Sequence, residues 1–261
     1  MHEVAWARAL GQVIGGSLAS QTIVLGTFLF GLGWGAFLAA RFGRRIRGSG
    51  LSLYALLEVM VAAWGFAAPL LARAGATVLA QAGPSLPDGA PLIGLRLVVA
   101  AALLLPGTLL MGATFPVLVR AVGDRDRIYG TALLYGANTI GAAIGALAGA
   151  FALLPLLGTR HTFFTAAALN AVAAAGAWLL RASVIRPASD TPAFPDAEIV
   201  RPSGAFLPLA GLSGVIGAML QFGWTRAMAL SFGSSVYALG LTLAATLLGL
   251  GLGPLLVARL V

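Results

Sequence analysis

Cysteine and lysine are absent from the 261 residues, histidine occurs twice, and charged residues make up only 9% of the chain. Without cysteine there are no disulfides and no thiolate metal sites, and cysteine usage cannot mark the redox compartment. His2 and His161 lie far apart in sequence, which argues against a zinc site. The shortage of charge excludes more. A soluble domain carries charge on roughly a quarter of its residues, and this chain cannot cover its surface in that way. No nucleophile elbow, phosphate-binding loop or metal-binding run occurs, so no residue is nominated as catalytic and no cofactor is expected in this chain.

What the chain does have is apolar. Hydrophobic residues make up 59% of it, glycine contributes 35 positions, and the mean hydropathy is +0.96. The expected solvent is lipid, and the expected fold class is an all-α, polytopic membrane protein. A spanning helix needs about 20 mainly apolar residues. The runs of that length are 18–40, 51–72, 92–119, 129–156, 160–181, 205–230 and 235–258, preceded by a shorter apolar run at 4–15. Counting that short run as part of a first helix gives about eight.

The net charge of +8 comes from sixteen arginines against eight acids. Nucleic-acid binders gather basic residues on one face or stripe. Here most of them fall in gaps between apolar runs, so no nucleic-acid partner is expected. With eight alternating helices, eleven arginines share one side, including Arg41, Arg44, Arg45, Arg47, Arg120, Arg125 and Arg127. Arg73, Arg96 and Arg160 take the other, while Arg8 and Arg226 lie within helices. The positive-inside rule places the crowded side in the cytoplasm of a bacterial-type inner membrane. The proline-rich stretch between 183 and 204 reads as a cytoplasmic linker.

Shifting the sequence by 218 residues aligns 3–41 with 221–259 without a gap, and 14 of the 39 positions are identical. Apolar composition would match leucines and alanines. It would not bring Trp6, Arg8, Arg41, Gly15, Gly31, Gly33 and Gly35 into register with their counterparts. The pattern reads as a parallel repeat of six-helix units. The domain reading is a first repeat over 1–182, with its first helix N-terminally incomplete, a linker over 183–204, and two helices of a second, truncated repeat over 205–261.

GLGWG (31–35) and GLGLG (249–253) mimic nucleotide-binding glycine loops but lack a preceding strand. Gly31 with Gly35, and Gly249 with Gly253, instead have the small-xxx-small spacing of closely packed helices, as do Gly141, Gly145 and Gly149. Ionisable and amide groups inside apolar runs are costly and usually face a partner or cavity. The candidate substrate-binding residues are therefore Glu3, Arg8, Glu58, Asn138, Gln221 and Arg226, with Glu58 free to pair with Arg8 or Arg226. The competing reading keeps both arginines near helix ends, snorkelling to the interface. Pro106 and Pro116 are expected to bend their helix.

GAFLAARFGRR (35–45) resembles the loop motif between helices 2 and 3 of major-facilitator transporters, with Ala39 where that motif has an acid. GTLLMGATFPVLVRAV (107–122), YGTALLYGANTIGAAIGALAGAFALLPLLG (129–158) and the repeated Trp-x-Arg unit resemble the transmembrane part of membrane-bound spermidine-synthase-like proteins, described as fused major-facilitator/spermidine synthases. The resemblance implies a major-facilitator-like bundle in a lipid bilayer, with a polyamine or other cationic metabolite as partner. It also implies a soluble aminopropyltransferase domain, which would bring the enzymatic activity and whose pattern does not occur in these residues. Two functions follow. One is a module that binds or transports a small amine; the other is a membrane anchor for the synthase domain.

Overall fold

A computed structural model of the chain describes residues 1–14, 18–42, 49–120, 127–182, 204, 206–233 and 236–258. Much of the arginine-rich loops and the linker, expected at 41–50, 120–127 and 183–204, lies outside the described residues. Among the described residues there is no strand. The helices are α1 (His2–Ile14), α2 (Leu18–Phe42), α3 (Gly50–Ala82), α4 (Ala90–Val119), α5 (Arg127–Ala148), α6 (Leu154–Leu180), α7 (Phe206–Phe232) and α8 (Val236–Ala258). The all-α expectation holds.

Among the described residues five stretches are long and apolar enough to cross a membrane: Thr22–Phe42, Gly50–Ser85, Ala90–Val119, Tyr129–Leu180 and Val236–Gly253. The fourth contains the break expected between 156 and 160. Gly158 there takes φ 73 and ψ 173, a left-handed conformation that interrupts the helix. Two elements counted at the sequence level fall outside the five. With 13 residues, α1 rises only about 20 Å. The 27-residue α7 is apolar in its first half and carries Gln221, Thr225 and Arg226 in its second.

The third helix also runs further than its hydropathy. The apolar run stops near 72, yet α3 continues through Arg73 to Ala82. The segment ARAGATVLAQA is rich in alanine, a strong helix former even where the residues turn polar. Local chemistry fixes the other ends. Ser49 caps α3 by accepting the Ser52 N–H at 3.4 Å. Gly89, at φ 106, precedes α4, whose first turn holds Pro91.

Packing is closest between α2 and α4. A Cβ placed on Gly35 would collide with the Leu109 carbonyl, one on Gly112 with the Leu32 carbonyl, and one on Gly31 with the Thr108 side chain. Gly31 and Gly35 thus serve as expected. The second glycine pair does not: a Cβ on Gly249 or Gly253 would meet nothing within 4 Å, and one on Gly251 would meet Ile140 and Thr139 on α5 instead. In α5, Gly136 packs under Leu255 and Gly141 stands clear. The glycine row facing α8 is therefore offset from the one the spacing suggests.

At Pro106 the chain lacks a backbone donor, and neighbouring side chains support that part of α4. Trp64 Nε1–H donates to the Leu103 carbonyl at 3.2 Å, and Thr108 Oγ donates to the Leu104 carbonyl at 2.9 Å. The Trp64 ring lies against Gly107, where a Cβ would come within 2.6 Å of Cδ1. Trp64→Phe keeps the ring and loses the donor, so the thermal midpoint should fall by an amount equivalent to about 1 kcal/mol. An unchanged midpoint would show that the bond contributes nothing.

Although the shortest helix, α1 is the most enclosed. Ala5, Trp6, Ala9, Leu10 and Ile14 enter a core with Val24 and Phe28 of α2, Ala68 of α3, Leu103 and Leu104 of α4 and Phe163 of α6. Trp6 meets Phe163 edge to face at 5.0 Å. Val4 points into a second core, with Ala146, Ala150 and Leu243. That second core includes part of a five-residue π-helical turn, Gly149–Leu153, between α5 and α6.

Candidate functional site

Beside α1, three helices bring polar groups together inside the apolar bundle. Glu58, on the face of α3 that also carries Val61 and Gly65, is only 6% exposed. Its Oε2 accepts the Asn170 amide N–H from α6 at 2.6 Å. Asn170 is oriented by that bond: Nδ2 donates to the carboxylate, so Oδ1 is left to accept from His2 Nε2 on α1 at 2.8 Å. The tautomer of His2 is thereby set, with hydrogen on Nε2. The Tyr54 hydroxyl, one turn earlier on α3, stands near the same carboxylate. A hydrogen-bonded chain therefore runs Glu58–Asn170–His2, tying α3, α6 and α1.

Of the two readings of the arginines, pairing with Glu58 is not seen among the described residues, where an amide meets the carboxylate instead. Arg8 is exposed on the surface of α1, and Arg226 is exposed on α7. Asn138 is exposed on α5, and Gln221 is half-buried on α7. Glu3 follows His2 on α1. It is half-buried, and its Oε1 is enclosed without a hydrogen-bond partner. Of the six sequence candidates, only Glu3 and Glu58 are associated with this cluster, Glu3 through its neighbour His2. Asn170 was not singled out, and His2 was weighed only as a metal ligand. The available signal was Asn170 as an amide in the alanine-rich run TAAALNAVAAAG.

Beside the cluster lies a small cavity of about 10 Å³, lined by His2 and Trp6 of α1, Phe28 of α2, Trp64 of α3 and Thr108 and Met111 of α4, among others. It has space for roughly one water-sized group. In this conformation no compartment lined by Glu3, Glu58 and Asn138 together is described. Among the described residues no cluster of three or more metal-ligating side chains occurs.

Chemically, the cluster is an acceptor in search of positive charge. A carboxylate inside an apolar helix is tolerated when hydrogen bonds, a cation or a proton neutralise its cost. Here the hydrogen-bonding partner shown is a neutral group. Over 178 residues, 67% of its length, the chain is 29% identical to Polyamine aminopropyltransferase 2 of Streptomyces coelicolor. The two are distantly alike. This likeness supports a spermidine-synthase-like relation, and the matched stretch spans 30% of the Streptomyces protein. No protein-family model and no solved structure matches the chain.

Proposed function

We propose that the chain is the membrane module of a spermidine-synthase-like protein, and that it binds a small aliphatic ammonium ion, of the polyamine class, at Glu58 for passage across the bilayer. The observation that carries this reading is the Glu58 carboxylate. It sits in an apolar span, held by Asn170 and near Tyr54, with no arginine paired to it among the described residues. The enclosed, unpartnered oxygen of Glu3 offers a second anionic group near His2, as a multiply charged amine would require. The polyamine named in the Streptomyces relative suggests the substrate class.

A major-facilitator-like architecture, built from parallel repeats, belongs to the same proposal. It is supported by the matching ends of helices: α1 and α7 stop, and α2 and α8 start, at positions displaced by the same 218 residues. The second reading, a membrane anchor for an aminopropyltransferase domain, is favoured by the share of the relative, 70% of its length, that lies outside the match.

Thermal unfolding of the protein in lipid nanodiscs, with and without spermidine, separates the two. At a hundredfold excess over the dissociation constant, a ligand that binds only the folded state stabilises it by about 2.7 kcal/mol. The wild-type midpoint should rise with spermidine, and Glu58→Gln should abolish the rise while keeping side-chain shape. An equal rise in both proteins removes Glu58 from the site. No rise in the wild type leaves the anchor reading.

A further inference from the structure

We propose that Glu58 is an exchange site at which an aliphatic ammonium ion and a proton replace one another, so that amine movement is coupled to proton counter-movement. This rests on the reading of Glu58 as the ammonium site and adds the coupling ion to it. Of the eight acidic residues in the chain, Glu58 alone lies within the five stretches able to cross a membrane. One carboxylate presents one negative charge. Its surroundings supply polar groups rather than an opposing charge: Asn170 from α6 donates to it, His2 of α1 lies beyond Asn170, and the Tyr54 hydroxyl stands near it on its own helix.

Other charged groups are remote from this cluster or separated from it. Glu3 stands on α1 next to His2, close to the Met1 amino group. On α6 the nearest are Arg160 and His161, which lie about 14 Å along the helix from Asn170. On α4 only Arg96 lies within the helix, and on α3 Arg73 is about four turns beyond Glu58.

A bare anion in such a place is costly, so the carboxylate is stable when occupied. Two occupants fit its charge, and each excludes the other. When the ammonium arrives, the O–H bond of the carboxylic acid breaks and the proton leaves to water. The ammonium keeps all of its own hydrogens, and the net charge of the site does not change. The hydrogen bond from Asn170 survives both states, because a carboxylic acid retains a carbonyl acceptor. The link to His2 is therefore preserved, and α1 stays docked throughout the exchange.

Butylamine is the discriminating probe. Like the lysine side chain, with a pKa of about 10.4, it stays charged between roughly pH 5 and 8. Calorimetric titration of the full chain in two buffers of different ionisation enthalpy should show close to one proton released per butylammonium bound where Glu58 begins protonated. In that range the apparent dissociation constant should rise about tenfold for each unit that pH falls. In proteoliposomes an imposed butylammonium gradient should drive proton counterflow without building a membrane potential. Glu58→Gln should lose all three behaviours, and Glu58→Asp, which keeps the carboxylate, should retain proton release. Butylammonium binding with no proton release and no pH dependence would overturn the exchange while leaving the ammonium site standing. Absence of binding by the wild type across this pH range would overturn both.

Discussion

Gly35→Leu should leave almost no folded protein, whereas Gly33→Leu, two residues away on the same helix, should purify normally. The two glycines are alike in sequence and opposite in surroundings. A Cβ on Gly33 meets nothing within 4 Å, while one on Gly35 runs into the Leu109 backbone. Backbone cannot rotate out of the way as a side chain can, so α2 and α4 would have to separate along their whole contact. Overpacking a core side chain typically costs about 1 to 3 kcal/mol, and forcing apart two backbones belongs at or beyond the top of that range. Against a net stability of about 5 to 15 kcal/mol, this is a large fraction. Gly112→Leu, approaching Leu32 from the opposite helix, should behave like Gly35→Leu. Monodispersity on gel filtration and the thermal midpoint in detergent are the readouts. Equal behaviour of the Gly33 and Gly35 variants would rule out this crossing geometry.

Asn170→Leu should be the most damaging single change in the polar cluster. It removes the N–H that meets Glu58 and the carbonyl that meets His2, leaving two buried polar groups unmatched. Stranding a buried charged group costs about 3 kcal/mol or more. Replacing Glu58 together with Asn170 is gentler, since the carboxylate is then no longer stranded and only His2 still loses its partner. The double variant Glu58→Leu with Asn170→Leu should therefore recover the part of the loss that comes from the stranded carboxylate. A double-mutant cycle on thermal midpoints measures the coupling, expected to lie within the range of about 0.5 to 3 kcal/mol for groups in contact. Purely additive losses would mean that Glu58 and Asn170 do not act as a pair.

Sequence alone reveals those features that depend on local spacing or on the cost of a single residue. Gly31 and Gly35 form a patch because residues four apart share a helix face. Glu58 is visible because a carboxylate in YALLEVMVAAWG conflicts with its neighbours. The turn at Gly158 is visible because the hydropathy falters there. Asn170 is harder to find. An amide among alanines is only mildly unfavourable, and its partner Glu58 lies 112 residues away in the chain. Nothing local specifies which face of α6 turns toward α3. The same limit explains α8: its glycines alternate, so two faces have the right spacing, and only the position of α5 selects Gly251 over Gly249 and Gly253. In α3, hydropathy located the apolar portion and missed the alanine-rich extension, because helix propensity and hydrophobicity are different properties.

Two helices that meet backbone to backbone cannot slide past each other, so α2 and α4 travel as one body. Beside them α3 packs on both α4 and α6, while α5 packs chiefly on α8. Val4 of α1 faces the α5/α8 core as the remainder of that short helix fills the other, making α1 the keystone between two blocks. Any rocking of one block against the other must be absorbed at this keystone and at the π-helical turn beside it. The Asn170–His2 bond fastens the keystone to the block that carries Glu58.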